Sequence, residues 1–145
     1  MRCMIMALLL LPASAMAAAG GDDAAEGSSC LQNLVVSGGF SSGKTFLASQ
    51  DHEGVSYPVA FNKTLEAIRN EGMLQISPNE TTGYIAAENP IHAGSGATVP
   101  LRVTVRRQDD GSIRVEARFT MKGGLLASKK TIGAGLCKIV DAPSL

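Results

Sequence analysis

The clearest pattern in the chain is the strict alternation between residues 101 and 120. Leu101, Val103 and Val105 fall on one side together with Ile113, Val115, Ala117 and Phe119. Arg102, Thr104 and Arg106 fall on the other with Arg114, Glu116 and Arg118. A period of two is that of a strand with one dry and one wet face, so the pattern predicts a long hairpin with strands at 101–107 and 112–120. Keeping both apolar sets on one face allows two registers. A three-residue loop Asp109-Asp110-Gly111, with glycine at the left-handed position, sets Arg106 opposite Arg114 and Arg102 opposite Arg118. The loop Asp110-Gly111-Ser112 sets Arg106 opposite Glu116 but misplaces the glycine, and the first register is preferred.

Upstream the period changes. From Tyr57-Pro58 to Glu71 the apolar residues Phe61, Leu65 and Ile68 share a helical face, Pro58 suits a first turn and Gly72 a terminus. Short strands are predicted at 45–49, 73–76 and 84–87, a turn at 78–83, and loops at 37–43 and 89–96. Residues 31–36 form a short apolar run. Leu125, Ile132, Leu136 and Ile139 make one stripe of a closing helix over 125–140, against Gly133 and Gly135, which each cost about 1 kcal/mol relative to alanine. Connections of hairpin length then give an α+β fold: an antiparallel sheet of four to five strands, a helix after the first strand, and a C-terminal helix packed on one face.

The N-terminus departs from both periods. Arg2 precedes an apolar run from Cys3 to Leu11, Pro12 breaks it, and Ala15-Met16-Ala17 supplies the small-x-small pattern of a cleavage site. The run is about nine residues, against roughly twenty for a membrane span. Residues 1–17 are therefore expected to be a signal peptide, 18–29 a disordered leader of small and polar residues, and 30–145 a single domain that works in the periplasm or is secreted. No later segment is long and apolar enough to span a membrane. Losing Cys3 leaves Cys30 and Cys137, an even pair and a candidate disulfide in an oxidising compartment. Closing a loop of about 100 residues is worth roughly 4 kcal/mol in the chain-entropy model.

Charge adds an asymmetry that the balanced totals, 13 basic and 13 acidic residues, conceal. Residues 20–100 hold nine acidic and three basic side chains, and residues 101–138 hold nine basic and three acidic. An acidic half and a basic half are the expectation. On the hairpin, Arg102, Arg106, Arg114 and Arg118 surround Glu116. Like charges directly opposite are unfavourable in a sheet, so a cluster of this kind points to an anionic partner, a protein surface or an envelope component. The plainer reading is a solvated face whose arginines splay apart and pair with Glu116 and other acids. No aromatic residue interleaves with the arginines, which argues against single-stranded nucleic acid.

Gly38-Gly39-Phe40-Ser41-Ser42-Gly43-Lys44-Thr45 matches the phosphate-loop pattern G-x-x-x-x-G-K-[ST]. A phosphate loop must open a helix, yet Gln50-Asp51-His52-Glu53-Gly54 interrupts after five residues and no parallel α/β repeat follows. No nucleotide is expected, and the motif reads as a glycine-rich loop. The histidines, His52 and His92, sit in loop contexts without metal-ligand spacing and read as surface residues. No cofactor or metal is expected, and no serine lies in a nucleophile elbow.

Phe61, Ala67-Ile68, Gly72-Met73, Ile76 and Thr82-Gly83-Tyr84-Ile85-Ala86-Ala87, followed by the long hairpin, make a helix, strand-turn-strand and hairpin sequence. Over residues 57–119 this resembles the small α+β domains of bacterial envelope proteins, including BamC-type outer-membrane assembly lipoproteins. The chain lacks their lipobox. The resemblance implies a helix-on-sheet fold and a periplasmic, non-enzymatic role, and transfers no functional residue. Together these readings favour a periplasmic or secreted binding protein acting through a protein or envelope-component interface, such as an inhibitor or immunity-type protein. The alternative is a small extracytoplasmic hydrolase with a site around His52 or His92.

Overall fold

The computed structural model describes residues 28–91 and 97–145. The expected signal, the leader up to residue 27 and His92 lie outside the described residues. The chain runs α1 (Ser29–Gln32), β1 (Val35–Gly39), β2 (Gly43–His52), α2 (Tyr57–Asn70), β3 (Leu74–Asn79), β4 (Tyr84–Pro90), β5 (Thr98–Arg107), β6 (Ile113–Met121) and α3 (Lys129–Asp141), ending in a 3-10 turn, Ala142–Ser144. Among the described residues the sheet has six strands, ordered β1-β2-β6-β5-β4-β3, and each neighbouring pair is antiparallel. β3 to β6 form a meander of hairpins, and β2 closes against β6 from far away in sequence.

The period-two pattern sorts side chains as the sequence requires. Phe46, Phe119, Leu101 and Ala87 form one continuous row across four strands, and Ala48, Ala117, Val103 and Ile85 form the next. All eight are buried, together with Phe61, Leu65 and Ile68 of α2 and Leu136, Ile139 and Val140 of α3. Burying each of the large ones stabilises the fold by about 1.5–3 kcal/mol. The helix Tyr57–Asn70 lies where the 3.6-residue spacing placed it. Its N-terminus is fixed by Tyr57, whose hydroxyl donates to the Glu80 carbonyl at 2.6 Å and whose ring lies 4.4 Å beneath the Arg107 guanidinium. Gly83 makes that corner possible: at φ +70°, any Cβ there would lie 2.1 Å from the Val105 carbonyl oxygen.

Several expectations are corrected. The sheet has six strands rather than four or five, because β1 forms across the end of the apolar run and the start of the stretch read as a loop at 37–43. Val35 pairs with Leu47, Ser37 with Thr45 and Gly38 with Lys44. The apolar run 31–36 divides between the end of α1 and the start of β1. Asn89 and Pro90, placed in a loop by their residue types, extend β4 against Val99 and Thr98. The closing helix starts at Lys129 rather than at residue 125, with Ser128 accepting from the Thr131 N–H as its cap. Gly133, which counted against that helix, lies against α1: a Cβ there would sit 2.8 Å from Leu34 Cδ2 and 2.9 Å from Leu31 Cδ2. Lost helix propensity is exchanged for close approach of two helices.

Cys30 and Cys137 form a disulfide that ties α1 to α3, across a sequence separation of 107 and with Cα atoms 5.7 Å apart. Both are buried. α1 is only four residues long and has little hold of its own, so the bridge is its main anchor.

Candidate functional site

The helices cover one face of the sheet. The other, among the described residues, has no element packed on it. The hairpin register is the one preferred from the turn chemistry: Arg102 stands opposite Arg118, Arg106 opposite Arg114, and Thr104 opposite Glu116. The turn closes through the Gln108 N–H donating to the Ser112 carbonyl at 2.9 Å, with Gly111 at φ +87°. Asp110 Oδ1 accepts from both the backbone N–H (2.9 Å) and the hydroxyl (2.6 Å) of Ser112. Those bonds to Ser112 hold the Asp110 carboxyl below the ordinary range and stiffen the turn.

Pairing extends the open face across the whole sheet. One row runs Val35, Leu47, Arg118, Arg102, Ala86, Ser77. The next holds Ser49, Glu116, Thr104, Tyr84 and Asn79, and a third holds Asp51, Arg114 and Arg106. The four predicted arginines thus occupy two rows with Glu116 in the row between, and they divide into two kinds. Arg114 makes a two-pronged pair with Asp51, Nε to Oδ1 and Nη2 to Oδ2, both at 2.7 Å. That hydrogen-bonded pair depresses the Asp51 carboxyl and raises the Arg114 guanidinium. Arg102 folds back on the sheet, donating from Nη1 to the Leu101 carbonyl at 2.9 Å and the Ala87 carbonyl at 3.2 Å, with Glu88 at 3.4 Å. Arg106 and Arg118 are exposed and carry no ion pair among the described residues.

Asp51 and Glu88 are the residues that sequence reasoning missed. Each belongs to the acid-rich first part of the chain, yet the sheet brings β2 against β6 and β4 against β5, so acids from one part stand beside arginines from the other. On this face the expected acidic and basic halves are interleaved. The signal was not local: it required knowing that β2 pairs with β6.

The phosphate-loop match is a β-hairpin. Lys44 and Thr45 lie in β2, paired to Gly38 and Ser37, and no helix opens after them. The glycines answer to hairpin geometry. Gly38 and Gly43 have φ of +88° and +94°, and a Cβ on Gly38 would fall 2.1 Å from the Gly43 carbonyl oxygen. His52, read as a surface loop residue, is the last residue of β2 and is only 3% exposed. Its Nε2 lies 2.7 Å from the Val140 carbonyl, which can only accept, so Nε2 donates. In the neutral ring, Nδ1 then accepts from the Ser144 hydroxyl at 2.6 Å. It joins β2 to the C-terminus, and Lys63 Nζ donates to the Leu145 carbonyl beside it.

Cavities of about 340 and 190 Å³ lie between α2 and α3 and beneath α3. Neither is lined by His52 or by the four arginines. Among the described residues, no group of three or more His, Cys, Asp or Glu side chains is placed to hold a metal ion, and no helix is long and apolar enough to cross a membrane. Comparison with protein-family models and with curated proteins finds no match to this chain.

Proposed function

We propose that this protein is a binding module of an oxidising, extracytoplasmic compartment, and that its open sheet face receives an acidic protein surface. The observation that carries the reading is the arrangement of the face itself: six strands wide, uncovered, with Arg106 and Arg118 exposed and unpaired among the described residues between arginines that are already pinned. Arg102 and Arg114 are matched by Glu88 and Asp51, so the arginines left to form charge-assisted, two-pronged bonds to a partner's carboxylates are Arg106 and Arg118. A broad face that mixes arginine with Tyr84, Leu47 and Val35 has the composition of a protein contact rather than of a small-ligand pocket. The buried disulfide supports the compartment.

The test is crosslinking in the native cell envelope with wild type and with Arg106→Glu/Arg118→Glu, which leaves both existing ion pairs in place. An acidic protein partner captured by wild type should be lost at least tenfold in the variant, and its binding to purified protein should weaken steeply with salt. Equal capture by both proteins would refute the reading. Binding of wild type to anionic lipid vesicles but to no protein would reassign the face to an envelope component.

A further inference from the structure

The two edges of the sheet are unlike. β3 is blunted three times over: its register shifts between Leu74 and Ser77, Gln75 sits at φ +49°, and Pro78 has no N–H to offer. These are the devices by which an edge strand refuses another strand. β1 has neither the register shift nor the proline, and its one left-handed residue, Gly38 at φ +88°, is a glycine that stays in register with Lys44. From Leu34 to Gly43 there is not one charged residue and no proline. Val35 is 56% exposed, Val36 37% and Phe40 55%. The edge is also held in place. Its hairpin tip is fastened to the turn after β6 by the Gly124 N–H donating to the Phe40 carbonyl at 2.8 Å, and its start is capped by the disulfide-anchored α1.

We propose that β1 is a self-association edge, and that two copies of this chain pair antiparallel through it about a two-fold axis at Ser37. The occupant is a second copy because the strand complements itself. Val35-Val36-Ser37-Gly38-Gly39 run against its own reverse sets Val35 across from Gly39, and Val36 across from Gly38 of the other copy. Each bulky position thus meets one with no side chain. The uncharged run places no like charges opposite one another. An antiparallel two-fold stands perpendicular to the sheet, so the open faces of both copies look the same way. The row that ends at Val35 continues into the second molecule, and two arginine faces become one surface. This inference stands apart from the partner proposal, since it uses β1 and none of the arginines.

A charge-swap at the axis tests it, read by sedimentation velocity on the full chain. Wild type should form a dimer whose fraction rises with concentration. Ser37 is exposed, and Ser37→Lys places two like charges face to face, as does Ser37→Glu. Each variant alone should weaken the dimer at least tenfold, about 1.4 kcal/mol, and an equal mixture of the two should restore it. Restoration also shows that both variants fold. A monomeric wild type at every concentration, variants that dimerise as wild type does, or a mixture that fails to recover would each overturn the proposal. None of these outcomes touches capture of the acidic partner, which Arg106 and Arg118 govern.

Discussion

His52 spends both ring nitrogens on the C-terminal end of the chain, one on Val140 and one on Ser144. Replacing it by alanine leaves the Val140 carbonyl without this donor and opens a void where a nearly buried ring sat. His52→Ala should therefore destabilise the fold by about 2–4 kcal/mol, measured by urea unfolding. Two carboxylates give opposite pH responses. Asp51, lowered by its bond to Arg114, contributes stability that is present above the ordinary carboxylate range and lost as pH falls through its lowered value. It is half exposed to solvent, so the contribution is small. Asp141, at the end of α3, is raised from 3.8 chiefly by burial, with His52 pulling the other way. Its charged form is disfavoured by folding, so stability declines as pH rises from 3.8 through the raised value. Asp141→Asn should raise the melting temperature at neutral pH, and the advantage should vanish below pH 3.8. A variant no more stable than wild type at pH 7 would contradict this account. His52 was legible as a histidine without metal spacing, but its burial was not, because the groups it meets lie about 90 residues further along the chain.

At the scale of elements, strong periodicity carried the most information. The 101–120 alternation fixed two strands and, through Gly111, their register; Phe61, Leu65 and Ile68 fixed α2. What escaped was structure whose reason is non-local. β1 contains Ser37-Gly38-Gly39, poor strand formers by type, and becomes a strand only because β2 pairs with it. Gly133 argued against α3 until Leu31 and Leu34 were seen to approach it. The disulfide tests how far α1 depends on such long-range help. Cys30→Ser/Cys137→Ser should destabilise the domain by about 2–4 kcal/mol, and amide exchange should show α1 opening first while the α2 core stays protected. Equal protection of both would mean that packing against Gly133 suffices to hold α1.

Over the described residues the chain makes a two-layer body, helices on one side and a bare sheet on the other. The sequence announced the bare face, since residues 102, 104, 106, 114, 116 and 118 are polar in strict alternation. It did not announce that Asp51 and Glu88 would join the arginines there. Local runs of charge predict a surface badly when antiparallel pairing interleaves distant segments, and for this reason an acid-rich first half and a base-rich second half yield a mixed face.

The bridge between Cys30 and Cys137 has a topological consequence as well as an energetic one. Because 107 positions separate its ends, it turns nearly the whole domain, all six strands included, into a closed covalent ring. A single backbone break anywhere inside that ring releases nothing: the two pieces remain one molecule, with the strands still side by side and free to re-pair. In a compartment shared with proteases, a nick that would divide an open chain becomes a change of connectivity within an intact body.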